Sequence, residues 1–107
     1  MGTYSVAPFK EALADLLRNQ QGDPMRVNLK EFTDKVEGYA YHSLLGMIEG
    51  RRTLQPGAIE AMAKVLRVPP DYFIEYRVHW THEFMMRNPE AADQLYELAK
   101  SLDALSG

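Results

Sequence analysis

Apolar residues return along this chain at intervals of three and four, with no strand-like alternation, so the pattern predicts an all-α protein. Phe9, Leu13, Leu16 and Leu17 line one face of a first helix, opened by Pro8 and running to about Asn19. The breaker cluster Gly22-Asp23-Pro24 makes the following stretch, 20–27, a loop. Leu29, Phe32 and Val36 give a second helix its apolar stripe; Asn28 suits its N-cap and Gly38 stops it. Ala40, Leu44 and Met47 do the same for a third helix, 40–49, whose opposite face carries Tyr41, His42, Leu45 and Gly46. Gly50 takes a left-handed helix end cheaply and closes it, and Arg51-Arg52 follow at once. Gln55-Pro56-Gly57 opens a fourth helix built on Ile59, Met62, Ala63 and Leu66, which ends at Val68-Pro69-Pro70.

Beyond Pro70 the pattern becomes aromatic. Tyr72, Phe73, Tyr76, Trp80 and Phe84 recur at helical spacing and are expected to close the core and to serve subunit packing, with a small-molecule pocket as the lesser alternative. Pro89 interrupts, and the tail then repeats Ala91, Leu95, Leu98, Leu102 and Leu105 on one seam. The final intervals of three, four and three begin a heptad. That seam serves either intrachain packing or a dimer, and the dimer is favoured because a bare apolar stripe on a monomer is costly. Residues 1–7 read as a loose arm.

With 107 residues and 46% hydrophobic content, the chain fits one small domain. Its net charge of −3 argues against a simple polybasic nucleic-acid binder, but the charge is unevenly spread. Residues 26–67 hold seven basic and five acidic residues, a balance of +2, whereas the remainder holds five basic and ten acidic, a balance of −5. Positive potential is thus concentrated on the second, third and fourth helices. The absence of cysteine excludes disulfides and thiolate metal sites. No apolar run reaches a membrane span and the N-terminus lacks a signal-peptide pattern, so a soluble cytoplasmic protein is expected.

The stretch GYAYHSLLGMIEGRRTLQPGAIEAMAKVLRVPPDYF resembles the Cro/C1-type (XRE-like) helix-turn-helix family. The signature is the glycine turn, a recognition helix ending in Gly-basic-basic, the proline that opens the next helix, and Val68-x-x-Asp71-Tyr72-Phe73; it covers about residues 9–76. The tail is similar, more loosely, to the C-terminal extension of small actinobacterial regulators of this type. The resemblance implies a five-helix, lambda-repressor-like DNA-binding domain over 1–76, with its motif at 28–52. A helical extension over 77–107 would serve dimerisation within the same compact unit. It further implies a homodimeric, nucleoid-associated bacterial transcriptional regulator on double-stranded DNA. Base-facing positions then fall on Tyr41, His42 and Gly46 with Ser43 and Leu45 beside them, and phosphate-facing ones on Lys30, Arg51, Arg52 and Thr53. Lys30 stands where the family often has glutamine, and Ile48 where it often has glutamate. Gly46 and Leu45 offer no donor to a base edge, so direct readout rests on Tyr41, His42 and Ser43. Arg26, in the loop, is a further residue able to face a phosphate.

Other chemistry is weaker. His79, His82 and Glu83 stand at i, i+3 and i+4, a spacing that suits a zinc or nickel ion, yet no fourth ligand lies near in sequence and no metal site or cofactor is assigned. No nucleophile elbow or phosphate-cradling glycine loop is present, and no enzyme is expected. Arg51-Arg52 also suit a solvated helix end favoured by the macrodipole. Two function classes therefore stand: a DNA-binding regulator, and an antitoxin- or adaptor-like module that uses the same fold to bind a partner protein.

Overall fold

In the computed structural model, residues 4–21 and 29–106 are described, and within them the protein is all-helical. The expected loop around Gly22-Asp23-Pro24, the Asn28 cap and Arg26 lie outside the described residues. The chain divides into two units, Met1–Arg77 and Val78–Gly107, where a single compact unit is expected from length and composition.

In the first unit, α1 (Phe9–Gln21) buries Phe9, Ala12, Leu13 and Leu17. The second helix, α2 (Leu29–Asp34), is one turn shorter than its stripe suggests. Past Asp34 the bonds tighten, with Lys35 N–H donating to Phe32 O and Val36 N–H to Thr33 O, and the turn carries Val36 into the core nonetheless. Gly38, at φ +88°, reverses the chain into α3 (Tyr41–Ile48), which packs against α2. Leu44, Met47 and Ile48 are the inward residues of α3; Ala40, expected inside, is an exposed, extended N-cap. Pro56 opens α4 (Pro56–Leu66), the most buried helix, with Ala58, Ile59, Met62, Ala63 and Leu66 all in the core against α1. A single 3-10 turn, Pro70–Tyr72, then delivers Phe73, which is 0% exposed and packs its ring 4.6 Å from that of Phe9. Complete burial of such a side chain is worth roughly 2–3 kcal/mol.

The start of α5 (Ile74–Arg87) ties down the N-terminal segment. Phe9 N–H, at the open end of α1, donates to Glu75 Oε2 at 2.9 Å, so a carboxylate from 66 residues away caps the positive end of the helix dipole. Arg77 donates to the carbonyls of Asp71 (3.0 Å), Tyr72 (2.9 Å) and Ser5 (2.9 Å), and its guanidinium lies 4.7 Å from the Tyr4 ring. Ser5 N–H completes the clasp on Tyr72 O at 2.9 Å. Residues 4–7, read as a loose arm, are therefore fastened, because an arginine fork gathers three main-chain carbonyls that the local sequence leaves unpaired.

The second unit consists of the rest of α5 and α6 (Pro89–Ser106). Asn88 joins them: its side chain donates to Phe84 O at 2.9 Å, its carbonyl accepts Ala92 N–H, and Pro89 starts the new helix. No residue of either helix is buried. Trp80 and Phe84 stack on each other at 5.6 Å, with Trp80 56% exposed, so the expectation that they close the core is corrected. Their spacing places them on one face but says nothing of what lies opposite; the core closes earlier, at Phe73.

Two features of the first unit are open to measurement. Arg67 ends α4 in the left-handed region (φ 62°), a conformation that costs an L-residue about 1 kcal/mol; Arg67→Gly is expected to raise the urea midpoint accordingly, and a lower midpoint would contradict the assignment. Tyr76 Oη donates to Glu60 Oε2 at 2.6 Å, and this bond, with burial and the Glu60 and Asp71 charges, raises the phenol above its ordinary 10.0. The raised value means the folded state holds the proton, so this contribution to stability is complete below pH 10.0 and is lost as pH rises through the folded value. An ultraviolet difference titration of wild type against Tyr76→Phe should place this tyrosine above 10.0, and Glu60→Gln should bring it down.

Candidate functional site

Helix α3 is eight residues long, so most of its backbone polar groups belong to one end or the other. Its exit settles the local geometry. Gly50 takes φ +84°, Gly50 N–H reaches Met47 O at 3.3 Å, and Arg51 N–H reaches Gly46 O at 2.9 Å, the paired bonds of a Schellman ending. Arg52 N–H also donates to Gly46 O, at 3.1 Å, which turns the chain back along the helix it has just left.

The residues singled out from the sequence fall into two groups on this frame. At the front of α3, Lys30 Nζ lies 5.2 Å from the centre of the Tyr41 ring, and Tyr41 in turn tilts against His42 at 5.3 Å. Lys30 also pairs with Asp34 at 3.4 Å, one helical turn on. Tyr41 is half-buried and His42 exposed, so both rings border solvent. Ser43 and Leu45 are half-buried.

At the exit of α3, Gly46, one of the base-facing positions the resemblance implies, is buried. A Cβ built on it would lie 3.0 Å from Arg52 Cδ and 3.1 Å from Cγ: the aliphatic stem of Arg52 covers the glycine. The two arginines differ. Arg51 is bound to Glu49, at 2.7 Å through Nη2 and 3.2 Å through Nε, whereas the Arg52 guanidinium has no hydrogen-bond or ion-pair partner among the described residues. Thr53 is exposed beside them.

Under this exit lies an open recess of about 580 Å³ lined by Tyr39, Ser43, Met47, Arg51, Arg52, Thr53 and Gln55, with no carboxylate among them. Tyr39 and Gln55 are absent from the sequence-based selection. Tyr39 Oη reaches so close to the start of α4 that a Cβ on Gly57 would sit 2.8 Å from it. A glycine directly after Pro56, where the helix itself asks for none, is the signal that points to such a neighbour. Chemically the surface offers hydroxyls, an imidazole, an amide and a guanidinium, a set that donates hydrogen bonds to an anionic or acceptor-rich ligand.

The remaining selected residues lie elsewhere. Leu95 is half-buried on α6, while Leu98, Leu102 and Leu105 are exposed, Leu105 by 84%. His79, His82 and Glu83 lie on α5, the histidines and Glu83 exposed, and among the described residues no three His, Asp or Glu side chains gather as a metal site. No helix among the described residues is long and apolar enough to cross a membrane. In comparisons with protein-family models, curated proteins and solved structures, nothing matched the chain.

Proposed function

We propose that the protein is a sequence-selective DNA-binding transcriptional regulator of the lambda-repressor-like, Cro/C1-type helix-turn-helix class, acting as a cytoplasmic, nucleoid-associated homodimer and not as an enzyme. One observation carries the reading: a short helix carries an exposed His42 between half-buried Tyr41 and Ser43, and a guanidinium without an ion pair among the described residues, Arg52, lies at its exit. In this reading α3 enters the major groove, with Tyr41, His42 and Ser43 at base edges and Leu45 beside them. Arg52 and Thr53 meet phosphates, and Lys30 and Arg51 join them once released from Asp34 and Glu49. The acidic remainder of the chain, at −5, keeps non-specific attraction weak.

The exposed apolar side chains of the second unit support self-association. Seven large ones, Val78, Trp80, Met86, Tyr96, Leu98, Leu102 and Leu105, are exposed on a pair of helices with no buried residue. A second copy covering the α6 leucines would give them the burial that one chain does not.

A second reading, a protein-interaction module, is favoured by the pairing of Lys30 with Asp34 and of Arg51 with Glu49, which removes two of three expected phosphate cations. Binding to DNA decides between the two. With Lys30, Arg51 and Arg52 each meeting one phosphate in both subunits, log K is expected to fall against log salt with a slope of about −5. A slope near zero, or no mobility shift on pooled genomic fragments at low salt, would leave the module reading in its place. Tyr41→Ala and His42→Ala should change preference between sequences by about 1–3 kcal/mol, whereas Arg52→Ala should weaken all sequences alike. For the dimer, sedimentation equilibrium should return twice the 12.2 kDa chain mass for wild type and the single-chain mass for Leu98→Asp/Leu102→Asp; an unchanged mass would remove α6 from the interface.

A further inference from the structure

Gly46 presents a conflict between helix and surface. Glycine is among the poorest helix formers, and Gly46 lies inside α3 with no positive φ, so its backbone conformation does not call for one. What calls for it is space: the three nearest atoms to a Cβ there are Arg52 Cδ, Cγ and Nε, at 3.0, 3.1 and 3.3 Å. The same residue's carbonyl receives both Arg51 N–H and Arg52 N–H. Gly46 thus fixes the backbone from which Arg52 leaves and vacates the ground over which its stem returns.

We propose that Gly46 is a seat that holds Arg52 along the side of α3, and that Arg52, in preference to Arg51, is the guanidinium that grips a DNA phosphate; this rests on the DNA-binding reading above. Three observations converge on it. Arg51 is engaged by Glu49 at 2.7 Å, while Arg52 has no ion-pair partner among the described residues. The recess beside Arg52 is lined by Tyr39, Ser43, Thr53 and Gln55 and by no carboxylate, in a chain whose net charge is −3. The stem of Arg52, an exposed residue, already lies over Gly46 before any ligand arrives, so less rotamer freedom is lost when the phosphate is bound. Arg52 is the contact and Gly46 the positioning residue that acts through it.

The test uses the full chain and a labelled duplex of about three helical turns, roughly 30 base pairs, selected by the wild-type chain from a random pool and titrated by anisotropy between about 50 and 200 mM salt. Arg52→Ala should weaken binding roughly tenfold or more at low salt and flatten the salt slope by about 0.9 per subunit. Arg51→Ala should cost less. Gly46→Ala should weaken binding several-fold while melting at the same temperature as wild type or higher, since alanine is the better helix former and the displaced atoms belong to a flexible side chain. Gly46→Ala/Arg52→Ala should bind no worse than Arg52→Ala alone, because the seat has no occupant left to position. Multiplying losses in the double variant would overturn the proposal. So would wild-type binding by Gly46→Ala, a lower melting temperature for it, or a larger loss from Arg51→Ala than from Arg52→Ala. Failure of the wild-type chain to bind the duplex with any salt dependence would instead overturn the DNA-binding reading itself, and the seat with it.

Discussion

Short helices leave many backbone groups unpaired at their ends, and this protein is assembled around how those groups are answered. In α3, eight residues long, the carbonyl of Gly46 gathers two amides from the segment that follows. In α1 the amide of Phe9 is met by Glu75, and the carbonyls of Ser5, Asp71 and Tyr72 are met by Arg77. Each bond is modest by itself, but leaving such a group buried and unpaired would cost about 1–3 kcal/mol. Because the partners come from opposite ends of the first unit, its helix ends are fixed relative to one another by polar contacts as well as by the apolar core.

Much of this architecture is legible in the sequence, and the rest is hidden for identifiable reasons. The helical period exposes α1, α3, α4 and α6, and the glycine turns at Gly38 and Gly50 stand where positive φ is required. The core residues of α4 follow directly from spacing. The clasp of Glu75 and Arg77 on the N-terminal segment is invisible to spacing, since its partners are separated by 66 and 72 residues and nothing local marks either charge as inward-facing. Trp80 and Phe84 mislead because an aromatic stripe at helical intervals looks the same whether or not another element covers it.

The surface of α3 shows the same division. Residue types and positions identify Tyr41, His42 and the two arginines, but not that Lys30 lies over the Tyr41 ring, nor that Arg51 and Arg52 have unlike neighbours. Side by side in the chain, they leave the helix exit in different company: one beside Glu49, the other folded across a glycine. Local pairing of this kind gives the cations different company, Lys30 beside Asp34 at 3.4 Å and Arg51 beside Glu49 at 2.7 Å, in exposed pairs that solvent screens.

Trp80 is the chain's single tryptophan, and it lies outside the first unit's core, stacked on Phe84 and largely open to solvent. Indole emission is therefore silent about the packing of Phe9, Phe73 and α4, whose integrity is read instead from far-ultraviolet dichroism. Its colour and quenching report only on whatever comes to cover the second unit, which gives the molecule a built-in optical probe of that surface and separates the folding of one part from the occupancy of the other.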